Sequence, residues 1–267
     1  MITSRDNEGV RRARRVRDGK ADGEIFIEGV RLCEEAARAR LHIRDVIRTE
    51  DFSREERGAR LLSELKREGA RLLCVSEKVF ASLSDTKTPQ GIVVIAERPE
   101  TDASVLDEAL SGAALIVILH RLNNPSNAGA IVRTAEAAGA SGIITTVGTT
   151  DLFSPKALRG AMGSSFRLPV WAGASFEQSI EWCRERGLRT VCADLRATRA
   201  HTEIDWTEPR ALVLGSEAHG LSADEIAQAD EALLIPMRPP VESLNVAVAA
   251  AIILYEAARQ RAGVRRQ

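Results

Sequence analysis

Three loops of this 267-residue chain carry the polar residues that are best placed for chemistry. Asn127 and Arg133 follow the first of three apolar runs, Glu217 follows the second, and Ser243 and Asn245 follow the third. A permanently charged guanidinium, a carboxylate and two carboxamides are groups that bind and orient a polar ligand. In parallel α/β sheets ligands bind beyond the carboxyl ends of the strands, so we expect the site there.

The first loop runs from His120 to Arg133 after a strand that ends at Leu119. Asn127 is predicted to cap the following helix, whose core face holds Ile131 and Ala135. Arg133 points away from that face, about 9 Å along the helix axis from Asn127 at about 1.5 Å per residue. Taken alone, this loop is better explained by a capping asparagine and a solvated surface arginine than by a functional site.

The second loop, Leu-Gly-Ser-Glu-Ala-His-Gly-Leu, spans residues 214–221. Gly215 permits a close backbone approach and Gly220 an unusual turn, so that Glu217 and His219 are displayed between them. His120 and His219 have no partner visible in the sequence and are predicted to be surface or loop histidines. The patterns GxGxxG and GK[ST] are absent, which disfavours a dinucleotide-binding dehydrogenase and a P-loop NTPase.

The third loop begins where a predicted strand ends at Ile235 and is stiffened by prolines. Ser243 and Asn245 are predicted to open the helix that follows. This helix is apolar nearly all round its first turns, so it is expected to be buried in the core or against a second subunit.

The pattern around these loops alternates short apolar runs with helical segments, which is typical of an α/β protein. Ser53 and Glu56 are predicted to form a capping box for a helix ending near Gly69, within a smaller first domain. The second domain is predicted to hold a parallel sheet covered on both faces. Its expected strands are residues 113–119, 143–147, 170–171, 190–193, 211–214 and 232–235, and those of the first domain are 24–27, 43–48, 72–75 and 92–96.

Composition sets outer limits on function. Hydrophobic residues make up 44% and charged residues 28% of a chain with formal net charge −1, as in folded globular proteins. No apolar run reaches the ~20 residues of a membrane span, so a cytoplasmic protein is expected. Residues 1–20 hold seven basic and three acidic side chains, a candidate phosphate-binding arm. The four cysteines lack metal-ligand spacing, so no metal is expected.

Taken together and in this order, the three loops resemble the SpoU/TrmH family of RNA ribose 2′-O-methyltransferases. The matching segments are Asn-Ala-Gly-Ala-Ile-Val-Arg-Thr-Ala (127–135), Leu-Gly-Ser-Glu-Ala-His-Gly-Leu (214–221), and Ile-Pro-Met (235–237) with Glu-Ser-Leu-Asn-Val-Ala (242–247). The likeness covers roughly residues 23–260 and includes 26–31, 84–91 and 154–163. His219 and Ser126 depart from the residues that are frequent in the family.

The resemblance implies S-adenosylmethionine as cofactor and RNA, most readily ribosomal RNA, as partner. It makes Gly215, Ile235, Met237 and Leu244 the cofactor-binding residues. It makes Arg133, Asn127, Glu217, Ser243 and Asn245 the catalytic neighbourhood. Because a guanidinium keeps its proton, we expect Arg133 to clamp a phosphate and stabilise the forming alkoxide rather than act as a base.

The family likeness also predicts the domain organisation. A basic arm (1–22) precedes an RNA substrate-binding domain (23–98) that resembles ribosomal proteins which hold kinked RNA. A linker (99–110) leads to a methyltransferase domain (111–267) with a deep trefoil knot, which dimerises through its terminal helices. The alternatives are transfer RNA as substrate, a non-catalytic RNA-binding or ribosome-assembly protein of the same fold, and a small-molecule enzyme on an ordinary doubly wound sheet.

Overall fold

The structure is a computed structural model and describes residues 1–264. Contacts divide the chain into two compact units. The first comprises residues 1–99 and 152–167, and the second comprises residues 100–151 and 168–267. The chain therefore leaves the second unit once, after residue 151, and returns to it at residue 168.

The first unit contains a four-stranded mixed sheet in the order β1-β4-β2-β3, with helices packed around it. β1 and β2 pair with β4 in antiparallel fashion, whereas β2 and β3 are parallel. Its elements are α1 (Glu8–Arg17), β1 (Glu24–Glu28), α2 (Val30–Arg38), β2 (Ile43–Arg48), α3 (Glu56–Arg67), β3 (Arg71–Cys74), α4 (Glu77–Leu83), β4 (Ile92–Glu97) and α7 (Pro155–Ala161). The four strands predicted for this part of the sequence are confirmed within one or two residues.

The basic N-terminal residues form a packed helix. Val10, Ala13 and Val16 of α1 are buried in the hydrophobic core of the first unit. Arg12 of the same helix pairs with Glu24 of β1 and with Asp45 of β2. The regularly spaced apolar residues of α1 thus pack this segment into the core, although its charge alone predicted a basic arm.

The capping box predicted at Ser53 is wrong. Residues Asp51–Arg54 form a 3₁₀ turn, and α3 begins only at Glu56 with Glu55 at its N-cap. The Ser53 hydroxyl donates to the carbonyl of Glu50 instead of accepting from the helix. A serine hydroxyl can donate to a nearby carbonyl as readily as it can cap a helix N terminus. The 3₁₀ turn at 51–54 places the Ser53 hydroxyl beside the Glu50 carbonyl.

The second unit is built on a seven-stranded, all-parallel sheet in the order β7-β6-β5-β10-β8-β11-β9. Its strands are β5 (Leu115–Leu119), β6 (Gly142–Thr146), β7 (Val170–Ala174), β8 (Arg189–Ala193), β9 (Arg199–Ala200), β10 (Arg210–Leu214) and β11 (Glu231–Leu234). Its helices are α5 (Ser104–Ala109), α6 (Pro125–Ala137), α8 (Phe176–Glu185), α9 (Ala223–Gln228) and α10 (Val246–Val264). The parallel α/β sheet predicted for this region is confirmed, and the knot stays a prediction.

Two segments fall outside the divisions expected from composition. Residues 104–109, in the expected linker, form α5, whose Leu106 is fully buried in the core of the second unit. Residues 152–167 join the first unit, where α7 packs on β1. Arg159 of α7 lies 2.8 Å from a carboxylate oxygen of Asp85 and 4.0 Å from one of Glu28, a buried side chain.

The terminal helix α10 has two faces. It packs against α6, and its buried face contains Ala250, Ile253, Leu254 and Ala257. Val248, Ile252 and Tyr255 lie on the other face and are exposed. The expectation of burial all round is therefore met on one side only within this chain. No helix in the described part of the chain is long and apolar enough to span a bilayer.

Candidate active site

The loop after β5 enters α6 through a different cap from the one that we predicted. Asn124, not Asn127, is the N-cap, and its carboxamide oxygen accepts from the backbone N–H of Ser126 at 2.9 Å and of Asn127 at 3.4 Å. Pro125 occupies the first helical position, where its missing N–H costs nothing. Asn127 is thereby the third residue of the helix, and its side chain is free of capping.

Two glycines shape the loop after β10. Ser216 and Gly220 form an isolated backbone bridge, which folds the loop back on itself. A Cβ atom on Gly215 would lie 2.6 Å from the carbonyl carbon of Gly220, so no larger residue fits there without a backbone shift. Gly220 has φ +63°, the left-handed region that favours glycine. The close approach and the unusual turn predicted at these positions are both confirmed.

The third loop ends in a true cap. The Asn245 carboxamide oxygen accepts from the backbone N–H of Ala247 at 2.9 Å and of Val248 at 3.4 Å, both in the first turn of α10. The prediction that Asn245 opens this helix is confirmed. Its amide nitrogen remains available and donates to the Asn127 side-chain oxygen at 3.2 Å.

Glu217 links the second loop to the first. The Asn127 amide donates to Glu217 Oε1 at 3.2 Å, and the backbone N–H groups of Asn124 and Asn123 donate to its two carboxylate oxygens, each at 3.2 Å. Partial burial opposes ionisation, but hydrogen bonds from its own and neighbouring N–H groups outweigh burial and lower the pKa of Glu217. A chain of hydrogen bonds from Asn245 through Asn127 to Glu217 thus joins all three loops.

Arg133 and Ser243 stand outside that chain of hydrogen bonds. Arg133 is exposed on α6, opposite the buried Ile131 and Ala135, as predicted. Within residues 1–264 it has no ion-pair or hydrogen-bond partner, so Arg133 and Glu217 do not form a charge pair. Ser243 is exposed in the loop before α10.

Two of the four predicted cofactor residues directly follow strands that flank β8. Gly215 follows β10, and Ile235 follows β11. Met237 lies in the loop after Ile235, and Leu244 lies two residues before α10. Ile235 and Met237 are half-buried, and Leu244 is 36% exposed.

His120 is a polar residue of this region whose setting the sequence prediction missed. It was expected on the surface without a fixed partner, and that is wrong for His120, which is 3% exposed and hydrogen-bonded through both ring nitrogens. His219 is exposed, as predicted. The partners of His120 are Thr146 and Glu225, which are remote in sequence. One local signal existed, since His120 directly follows five buried strand residues.

The fold and site define a parallel α/β protein whose three crossover loops are joined by one polar network. Residues 114–255 match the SpoU rRNA Methylase family, and residues 9–94 match the MRM3-like substrate binding domain. The chain belongs to the SpoU rRNA Methylase family.

Similar proteins cover nearly the whole chain. An uncharacterized tRNA/rRNA methyltransferase of Synechocystis is 34% identical over 263 residues, which is 97% of this chain and 94% of that protein. The 23S rRNA (guanosine(2553)-2′-O)-methyltransferase RlmP of Bacillus subtilis is 31% identical over 86% of this chain and 87% of its own length. The AdoMet-bound rRNA methyltransferase of Sinorhizobium meliloti superposes with a TM-score of 0.86 at 31% identity, covering 97% of each chain.

Proposed function

We propose that this protein transfers a methyl group from S-adenosylmethionine to a ribose 2′-hydroxyl of ribosomal RNA. The observation that carries the proposal is the hydrogen-bonded chain Asn245–Asn127–Glu217, which brings the three matched loops into one site. The names of the similar proteins support ribosomal RNA as the substrate and S-adenosylmethionine as the methyl donor. We also propose a cytoplasmic location, which the names of the bacterial rRNA methyltransferases that it resembles support.

The residues of this chain account for the proton and the charge in such a transfer. A ribose hydroxyl is a weak acid, and negative charge develops on its oxygen as the proton leaves. Arg133 keeps its own proton, so its role is to stabilise that oxygen and to clamp an adjacent phosphate. Its exposure, and its lack of a partner in the part of the chain that the structure describes, leave the guanidinium available to RNA.

The other polar residues of the three loops hold and orient the reacting groups in this proposal. Asn127 and Asn245 are locked to each other and to Glu217, so their carboxamides are preorganised at the start of α6 and α10. Ser243 lies on the same loop as Asn245 and completes the polar edge of the site. These are the roles that we assign to the four polar neighbours of Arg133.

Gly215, Ile235, Met237 and Leu244 would hold S-adenosylmethionine. When bound, this cofactor supplies the methyl group as a sulfonium. Gly215 keeps this loop tightly folded, because a Cβ atom at this position would meet the backbone of Gly220. The three apolar residues exclude water from the ligand's ring, which strengthens every polar contact nearby.

The first unit supplies the RNA-binding surface in this proposal. Residues 23–98 fall largely within the match to a substrate binding domain. Arg12 is engaged inside the unit by Glu24 and Asp45, so it is unsuited to phosphate contacts. The exposed Arg5 and Arg11 are the basic residues of the N-terminal segment that we assign to RNA.

We further propose a homodimer formed through the C-terminal domain. The exposed face of α10 carries Val248, Ile252 and Tyr255, spaced so that they form one apolar stripe. Light scattering should give a dimer mass for the wild type and for Leu195→Asp, a matched change at another exposed apolar residue. Ile252→Asp should give a monomer mass, and a dimer mass for this variant would refute the proposed interface.

The decisive experiment is to map ribose methylation across total RNA from cells with and without the gene. One or a few ribose positions, in ribosomal RNA, should lose their methyl group and regain it when wild-type protein is supplied. Arg133→Ala protein, supplied at the same level, should fail to restore the mark. If no ribose position changes, or only transfer RNA changes, the proposed activity or the proposed substrate is wrong.

A second experiment distinguishes an enzyme from a non-catalytic RNA-binding protein. Titration of purified protein with S-adenosylmethionine should show saturable binding, and Leu244→Asp should weaken it by placing a charge on the apolar wall. A chain that binds RNA but not the methyl donor would be a non-catalytic member of the family.

A further inference from the structure

His120 lies at the point where β5 passes into the first site loop. Its Nδ1 atom is 3.0 Å from the Thr146 hydroxyl, at the end of β6, and its Nε2 atom is 3.0 Å from a carboxylate oxygen of Glu225, on α9. The ring also meets Phe176 edge-on, with ring centroids 4.8 Å apart. Three separate elements therefore hold this imidazole.

The partners fix which nitrogen carries the proton. A carboxylate can only accept, so Nε2–H donates to Glu225, and Nδ1 accepts from the Thr146 hydroxyl. The Thr146 oxygen in turn accepts from the backbone N–H of Arg121 at 3.3 Å. The neutral imidazole with its proton on Nε2 satisfies every group in this series.

The charges around the ring agree with a neutral side chain. Burial lowers the pKa of His120, and the nearby Arg121 lowers it further. Glu225 opposes this by attraction and by its hydrogen bond, and the more distant Glu177 on α8 opposes it weakly. Burial outweighs both carboxylates, so the net change is downward from the ordinary value of 6.5.

The imidazole ties together the two loops that Glu217 also joins. Glu225 belongs to the first turn of α9, where it forms a capping box with Ser222, and α9 directly follows the loop at 215–221. At the exposed end of the same pair of loops, Glu217 accepts from the N–H groups of Asn123 and Asn124. The two loops are thus held together by two fastenings: the buried hydrogen bond between His120 and Glu225, and the exposed hydrogen bonds from Asn123 and Asn124 to Glu217.

We propose that His120 is a positioning residue for methyl transfer, which fastens residues 120–124 to α9 and so presents Asn123, Asn124 and the start of α6 to Glu217. This inference rests on the proposed function. It follows because α6 carries Asn127 and Arg133, and a displacement of about 1 Å at a reacting group can cost roughly 100-fold in rate. His120 acts through the loop and touches no substrate.

The test compares three variants by two kinds of measurement. His120→Ala removes the fastening, Thr146→Val removes only the hydroxyl that holds Nδ1, and Glu208→Ala changes an exposed residue of the second unit as a control. Steady-state methylation of RNA gives kcat and KM, and titration gives the affinity for S-adenosylmethionine. Hydrogen exchange gives the protection of the Asn123 and Asn124 amides, and thermal melting gives stability.

For His120→Ala we expect kcat to fall about tenfold or more while the affinity for S-adenosylmethionine changes less than twofold. The Asn123 and Asn124 amides should exchange faster than in the wild type. Thr146→Val should shift the same quantities in the same direction by less, and Glu208→Ala should leave all of them unchanged. Unchanged kcat and exchange in His120→Ala would overturn the proposal, as would a parallel loss of kcat, cofactor affinity and melting temperature.

A further test uses only the wild-type protein and so does not depend on the folding of a variant. In ¹⁵N-histidine NMR spectra, His120 should show the Nε2–H tautomer, and its pKa should lie below the ordinary histidine value of 6.5. An Nδ1–H tautomer, or a charged imidazole at neutral pH, would overturn the fastening. Exchange and tautomer are read without turnover, so a wild type that fails to methylate RNA would refute the proposed function alone.

Discussion

Glu217→Gln tests the network that carries the proposed active site. The carboxylate accepts three hydrogen bonds at 3.2 Å, from Asn123, Asn124 and the Asn127 side chain. A glutamine keeps one accepting oxygen and turns an NH₂ group toward a backbone N–H, so at least one of these bonds is lost and two donors face each other. The substitution changes no volume, which confines its effect to hydrogen bonding and charge.

The expected size of the effect follows from the bonds that are lost. A hydrogen bond to a charged group contributes about 1.5–3 kcal/mol, and the exposure of Glu217 places its contribution at the lower end of that range. At about 1.4 kcal/mol per decade, kcat/KM should fall roughly tenfold. The melting temperature should change little, because the lost contacts lie at an exposed loop.

The assay is transfer of a radiolabelled methyl group to RNA under single-turnover conditions, with Glu208→Gln as the matched control. Glu208 is an exposed glutamate of the same unit whose side chain has no hydrogen-bond or ion-pair partner within residues 1–264. Control activity should equal that of the wild type. If Glu217→Gln also keeps full activity, the network does not position the reacting groups, and the reasoning above fails.

Three further outcomes are expected. Arg133→Ala should lower methylation by at least ~100-fold with nearly unchanged cofactor affinity, and Arg133→Lys should recover only part of it; full turnover in the alanine variant would refute the assigned role. Gly215→Ala forces a Cβ to within 2.6 Å of Gly220, so calorimetric titration should show weaker cofactor binding by a protein whose circular dichroism is unchanged. The hydrogen bond from Arg259, aided by Gln260, lowers the pKa of Glu256 to about 2 against burial, so its stabilisation is complete above about pH 4.5 and is lost as the pH falls toward 2. Urea unfolding of Glu256→Gln should therefore show a smaller decrease in stability between pH 6 and pH 3 than the wild type, by about 1 kcal/mol, since Arg259 is exposed.

The sequence predicted the sheet well because its signal is local. The run at 115–119 is apolar at every position, as a strand covered on both faces requires, and it is buried throughout. The roles of the two glycines of the second loop were also predictable, since a close backbone approach and a left-handed turn each require glycine. The display of Arg133 followed from helical periodicity alone.

The errors share a different origin. Asn124 and Asn127 are both good caps, and the decision depended on Pro125, whose position at the start of a helix the prediction did not use. His120 could not be placed because its partners, Thr146 and Glu225, come from elements far along the chain. The link from Asn245 to Asn127 likewise required the fold, since 118 residues separate the two side chains.

The excursion of residues 152–167 governs how this protein can be taken apart. A fragment that stops at residue 99 would lack α7, which packs on β1, and would leave Glu28 and Asp85 without the guanidinium of Arg159. The complementary fragment, which begins at residue 100, would contain α7 without the strand β1 on which it packs. We expect each fragment cut at residue 99 to precipitate alone and the mixture of the two to be soluble. An exchange of the first unit between related proteins must therefore take residues 1–99 and 152–167 together.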